Sequence, residues 1–486
     1  MSDVDVVVRE AENDSPGELH HQDRHHRWSR TWMGSDRLLA RGLARPVARF
    51  LTIEAAGGIL LLVGALIAVV WANSPWSSSY THLWETPIGI EAGAFSLEMD
   101  LRAWVNDGAM ALFFFVAGME IKREMVSGEL KDPKAAALPI IGAAGGMLVP
   151  AVIYLALNRG GAGSGGWGIP MATDIAFAVG IVSLLGKRVP VQLKLFLLTL
   201  AVADDLGAIF VIAIAYSQGL QFAWLLAAAA MMGLVYLLRR AHVWYLPVYV
   251  VLGVIAWYFM LKSGVHATVA GVVLGFLTPT KPLREELSAE EIADRLENQP
   301  DLSAADVRHA AFHIRESVPV DVRLVDLLHP WTGYVIIPIF ALANAGVPLG
   351  REALESATSS SVTLGVFLGL VVGKTVGVFA AAVIAAKLGV ARLPRGVTLL
   401  QMLGIAMGAG IGFTVAIFVT GISLKDPVLQ DQAKIGIFAA SFVAAVLSAV
   451  TLSAAARRIP PDELLLEADE AAEVFEHVAP ARLTPG

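Results

Sequence analysis

The sequence predicts an all-α polytopic membrane protein of about twelve transmembrane helices with inverted repeats, two of its helices being broken. Three observations carry this. Of 486 residues, 56% are hydrophobic and 16% charged, far from the balance of a soluble domain. Apolar runs long enough for a hydrocarbon core of about 30 Å recur from Thr52 to Ala456. Two of those runs are interrupted by glycines, joined in the first by a proline, at corresponding places in the order.

Other classes fall away at once. A net charge of -7 gives no basic face for nucleic acid, and zero cysteines exclude disulfides, thiol catalysis and Cys-ligated metal. The polar stretch before the first apolar run at Thr52 carries Arg24, Arg27, Arg30, Arg37, Arg41, Arg45 and Arg49, unlike a cleavable signal peptide. Its four histidines, His20, His21, His25 and His26, read as a solvated run or a weak metal site. No catalytic residue, nucleotide loop, cofactor or structural metal cluster is expected.

The spans are expected near 52–73, 103–122, 135–157, 168–186, 191–217, 221–238, 243–261, 264–279, 331–347, 361–387, 397–423 and 433–456. Lys and Arg gather on alternate connections: Lys122/Arg123/Lys131/Lys134, Lys187/Arg188/Lys194, Arg239/Arg240, Lys281/Arg284, Lys387/Arg392/Arg395 and Arg457/Arg458. The remaining connections have fewer cations or carry acids, as at Glu85, Glu91, Glu98 and Asp100, which places both termini in the cytoplasm. The membrane domain is therefore 49–458, with a charged cytoplasmic insertion at 281–328 and an acidic cytoplasmic tail at 459–486. Capping patterns from Ser288 and Ser303 predict short helices in the insertion. Alternation from Ile90 to Leu101 predicts a small hairpin outside the bilayer.

An ionisable side chain at mid-bilayer costs about 2.5–3.5 kcal/mol on insertion scales, so each needs a partner or a task. Asp204 and Asp205 lie about 20 Å into their helix, and Lys374 about 18 Å from either end of its own, hence in one layer. Adjacent helical residues point about 100° apart, so the two aspartates have different neighbours. One is expected to pair with Lys374 and the other to face water and hold either a proton or a small cation. Desolvation and a nearby cation act on a carboxyl in opposite directions, and a carboxylate balanced between them exchanges the two ions by competition. The bland alternative is a satisfied ion pair that only stabilises the fold.

The fourth span contains Gly168-Ile169-Pro170 just before Thr173-Asp174, and the eleventh contains Gly408-Ala409-Gly410-Ile411-Gly412 before Phe413-Thr414. Irregular backbone at membrane depth survives only where it is buried or lines a cavity. Half-helix N-termini are partly positive and C-termini partly negative, and Asp174 and Lys374 are placed to offset them. Close packing through small residues is the other reading of these glycines.

These residues resemble the NhaA-type sodium/proton antiporter family. The matching stretches are Trp104-Val105-Asn106-Asp107-Gly108, Gly118 to Glu124, Ala172 to Phe177, Ala203-Asp204-Asp205-Leu206-Gly207, Lys262-Ser263-Gly264-Val265-His266-Ala267-Thr268, His329-Pro330-Trp331, Phe340 to Val347, Gly373-Lys374 and Gly410 to Thr414. The resemblance implies twelve spans with the fourth and eleventh crossing as broken helices, in the bacterial cell (inner) membrane. It implies export of Na+ or Li+ against a larger number of protons, with a strong pH response. By the same resemblance Asp205 is the principal carboxylate for Na+ and H+, Asp204 pairs with Lys374 beside it, and Thr173 and Asp174 sit at the crossing. Asp107 would line a cytoplasmic funnel, Glu120, Lys122, Arg123, Glu124 and His266 would belong to pH-responsive or interface regions, and the hairpin would support a homodimer.

The same residues have plainer readings: a charged helix end for Glu120, Lys122, Arg123 and Glu124, a packing residue for His266, a turn or cap for Asp107. Ahead of His329 the chain has Val325-Asp326-Leu327-Leu328 where the family has an acid and often a second His, so its pH profile does not carry over. An intramembrane aspartyl protease needs its aspartates on separate helices with a Gly-x-Gly-Asp pattern, which is absent. A channel or a solute symporter on the same fold stays open at this point.

Overall fold

In the computed structural model the apolar runs are helical, and acidic side chains such as Asp100, Asp132 and Asp426 cap helix N-termini. The structure describes residues 56–281 and 315–457 except 93–94, 186–188, 218, 244 and 395, together with 303, 308 and 311–312. Segment 1–48, the tail 459–486 and both capping patterns of the insertion, Ser303 apart, lie outside the described residues.

Helix α1 (Ala56–Ala72) turns by 119° into α2 (Ser77–Trp84), a bend the apolar run at 52–73 does not announce. Strands β1 (Pro87–Ala92) and β2 (Phe95–Asp100) form the hairpin, antiparallel with Pro87 opposite Asp100. Asp100 then N-caps α3 (Leu101–Ser127), its carboxylate accepting from the Ala103 N–H at 2.6 Å. A wider π-turn at Trp104–Ala109 interrupts α3 near this end.

Next come α4 (Pro133–Leu157), a 3-10 helix (Ala162–Met171), α5 (Ile175–Leu184) and α6 (Val191–Ala215). Helices α7 (Phe222–Arg240) and α8 (Leu246–Ser263) pack on each other and leave most of their apolar surface exposed, as lipid-facing helices do. Helix α9 (Thr268–Leu277) lies against α3 with backbones nearly touching: a Cβ at Gly271 would stand 2.1 Å from the Ala111 carbonyl oxygen. The chain closes with α10 (Val320–Asn344), α11 (Arg351–Ser359), α12 (Ser361–Lys387), α13 (Leu399–Gly408), α14 (Phe413–Ser423) and α15 (Pro427–Ala456).

Eight described helices are long and apolar enough to cross a bilayer, and counting each bent pair as one span raises the number to eleven. Two expectations change. At 264–279 the helix is ten residues long, about 15 Å, because Gly264, in the left-handed region at φ 83°, ends α8 and the backbone turns again at Thr278. The ninth span begins at Val320, inside the expected insertion: Asp321, Arg323, Asp326 and His329 hide its first turns from a hydropathy reading. Two groups of three follow one pattern, α4, a bent pair and α6, then α12, a bent pair and α15, and α4 packs along α12. The core lies where these groups meet.

Candidate functional site

The two bent pairs cross each other at their breaks. The 3-10 helix and α5 are bent by 43° around extended Ala172–Asp174, and α13 and α14 by 45° around 409–412. The glycines and Pro170 ahead of the first break cannot sustain an α-helix, and Asp174 starts the next one as its N-cap. The Asp174 N–H donates to the Ile411 carbonyl at 2.7 Å, so the extended stretch of one break satisfies backbone of the other. At Gly410 a Cβ would sit 2.6 Å from the Leu370 carbonyl oxygen, which reserves that position for glycine.

Four charged groups converge here. Asp174 Oδ1 accepts from the Phe177 N–H at 3.0 Å, while Oδ2 accepts from the Thr414 N–H at 3.0 Å and its hydroxyl at 2.6 Å. One carboxylate thus caps the N-termini of both α5 and α14, where each helix is partly positive. Lys374, fully buried at the end of a π-turn in α12, donates to Asp204 Oδ2 at 2.5 Å and to the Met171 carbonyl that ends the 3-10 helix. The Thr173 hydroxyl lies 2.6 Å from Asp204 Oδ2 and 2.9 Å from the Ala409 carbonyl oxygen, and its single proton serves one of them at a time.

Asp204 and Asp205 sit side by side on α6, and only Asp204 has the lysine. Asp205 is 8% exposed, and its Oδ1 is buried with no hydrogen-bond partner among the described residues; Asp204 Oδ1 shares that condition. Buried carboxylate oxygens are normally satisfied, so an open one is a place for a proton or a hard cation.

A cavity of about 480 Å³ lies toward the hairpin end of α3, lined by Asp107, His266, Asn106, Asn344, Tyr216 and Phe418 among others. Asn106 and Asn344 exchange amide hydrogen bonds across it at 2.8 and 3.2 Å. Asp107 Oδ1 stands 3.8 Å from His266 Nδ1, too far for a hydrogen bond. Asp205 is not among the residues lining this cavity.

Glu120, Arg123 and Glu124 occupy the opposite end of α3, about 20 Å from Asp107, with Glu120 and Arg123 exposed. Beside them Lys122 Nζ donates to the Thr278 carbonyl at 2.5 Å and Arg239 to that of Leu277 at 2.7 Å, closing the C-terminus of α9. This arrangement puts Asp107 and the Lys122/Arg123 pair at opposite ends of one helix. It also separates His266, which faces Asp107, from the other residues assigned to a pH response.

Sequence reasoning named Asp174, Thr173, Asp204, Asp205 and Lys374, and these five stand together. It gave no role to Thr414, although that residue opens the helix after the second break, where a hydroxyl is well placed for a carboxylate. Nothing in a sequence marks the Met171 carbonyl.

The family model described as Na+/H+ antiporter 1 matches residues 48–452. Among curated relatives, "Na(+)/H(+) antiporter NhaA 3" of Frankia alni is 46% identical over 418 residues, 86% of this chain and 90% of that protein. "Na(+)/H(+) antiporter NhaA" of Oleidesulfovibrio alaskensis is 46% identical over 84% of this chain and 92% of its own. "Na(+)/H(+) antiporter NhaA 2" of Sorangium cellulosum is 43% identical over 92% and 97%.

Proposed function

The chain belongs to the Na+/H+ antiporter 1 family and exchanges sodium for protons across a membrane, and from that premise we propose that Asp205 is the carboxylate the two ions occupy in turn. The observation that carries this is its buried, unpartnered oxygen beside an Asp204 already engaged by Lys374. A sodium ion needs several oxygen ligands. Asp205 supplies one, the open oxygen of Asp204 a second, and the Thr173 hydroxyl a third. The same hard-oxygen set accepts Li+, and no bond is made or broken, so the protein is a carrier with no resident cofactor.

The crossing explains how so much charge is tolerated in a low-dielectric layer. Asp174 offsets two helix N-termini and Lys374 one C-terminus, which leaves Asp205 as the group whose charge changes with its occupant. Rocking of one three-helix group against the other would expose the site alternately to each side, as inverted repeats allow. Lys and Arg placement supports twelve crossings with both termini cytoplasmic, the short α9 completing the count, and the family match supports a bacterial inner membrane. In that orientation the hairpin and the Asp107 cavity face outward. The hairpin edge is the natural place for a homodimer contact, and sodium export of this kind serves salt tolerance and pH regulation.

Competition makes a signed prediction. A proton on Asp205 excludes Na+, so the apparent KM for Na+ rises by up to about tenfold per pH unit once pH falls below the carboxyl's pKa, and is flat above it. Everted vesicles assayed at a series of pH values read this directly. A KM indifferent to pH while Vmax alone varies would defeat competition at one carboxylate.

A further inference from the structure

The 3-10 helix that delivers the Met171 carbonyl to Lys374 does not hold itself in place. Glycines fill much of it, and its hydrogen bonds are of the weaker 3-10 kind. Two tyrosine hydroxyls hold it from outside. Tyr154, from α4 and fully buried, donates to the Gly163 carbonyl at 2.7 Å. Tyr216 closes the C-terminus of α6; its hydroxyl accepts from the Gly168 N–H at 2.9 Å and donates to the Gly165 carbonyl at 2.9 Å. Its ring stacks on Trp167 with centroids 6.0 Å apart, and it also lines the 480 Å³ cavity. A Cβ at Gly168 would lie 2.6 Å from the Tyr216 hydroxyl.

Helix α6 is therefore joined to the 3-10 helix twice. One link is ionic and runs Asp204–Lys374–Met171; the other is the Tyr216 hydroxyl, about 18 Å away along α6. A cation on the open Oδ1 of Asp204 shares that carboxylate's charge with Lys374 on Oδ2, so the ionic link weakens when the cation binds. The tyrosine link lies outside that exchange and keeps the Met171 carbonyl in register while it happens. Without it, Lys374 loses a competing acceptor and holds Asp204 alone, which makes Asp204 harder for a cation to win.

We infer that Tyr216 is a positioning residue for cation binding: by fixing the Gly165–Gly168 turn to α6, it sets how tightly Lys374 holds Asp204. The inference rests on the reading of Asp205 and Asp204 as the cation site.

The test uses the full chain in everted vesicles, with inserted protein quantified. Tyr216→Phe keeps ring and stacking but deletes both hydrogen bonds. Its apparent KM for Na+ is expected to rise about five- to tenfold, with Vmax per inserted carrier within about twofold. Gly168→Ala pushes a methyl against the same hydroxyl and should reproduce the shift, and the double variant should be no worse than either single one. If Tyr216→Phe does not insert, the KM of Gly168→Ala decides alone. An unchanged KM, additive shifts, or failure of both variants to insert would each overturn the inference by reducing Tyr216 to a packing residue. Asp205→Asn run in parallel separates the two claims: if it still exchanges ions the underlying reading is wrong, and if it is inert while Tyr216→Phe keeps a normal KM, only the inference fails.

Discussion

Asp205→Asn abolishes sodium-evoked proton movement, by about a hundredfold or more, while the protein still folds and inserts. The asymmetry follows from the site. Asn is nearly the same shape but holds neither a negative charge nor an exchangeable proton, so it can neutralise no cation and release no H+. Folding is spared because Oδ1 of Asp205 has no hydrogen-bond partner among the described residues to lose, and a buried unpaired charge is itself unfavourable. The assay is dequenching of a trapped pH-sensitive dye in acid-loaded everted vesicles on adding Na+, Li+ or K+. Exchange within a few-fold of wild type from a well-inserted Asp205→Asn protein would remove this residue from the mechanism.

Lys374→Met has the largest expected effect on stability. The lysine is fully buried and serves Asp204 and the Met171 carbonyl at once, so its removal leaves an acceptor-only carboxylate in the core. Breaking a buried pair by deleting one partner costs about 3–5 kcal/mol, chiefly as the penalty for the stranded charge. Adding Asp204→Asn removes that charge, so the double variant should regain most of the lost stability even though it carries two changes. Thermal unfolding in detergent reports both. Losses that simply add would mean that Lys374 and Asp204 are not energetically a pair.

Much of this was legible in the sequence for identifiable reasons. Apolar runs mark helices because the bilayer demands continuous apolar length, and Asp204, Asp205 and Lys374 stand out because charge there is expensive. Glycine and proline before Asp174 and Phe413 mark breaks through backbone preference alone. The hairpin was legible from alternation. What escaped depends on distant partners or weak hydropathy. The grip of Asp174 on Thr414 joins residues 240 apart, and the Lys374–Met171 bond ends on a backbone atom. Helical geometry left open which aspartate takes the lysine; the ion pair forms at Asp204. The early start of α10 hides behind Asp321 and Arg323.

The central claim is that one buried carboxylate exchanges a proton for a cation. The most direct measurement is calorimetric titration of Na+ into the purified protein in two buffers of different ionisation enthalpy, which counts protons released per ion bound. Exchange at one carboxylate predicts release of about half a proton per Na+ at the carboxyl's pKa, rising toward one below it, and no Na+ binding heat in Asp205→Asn. Sodium binding to the wild type with no proton released at any pH would contradict it.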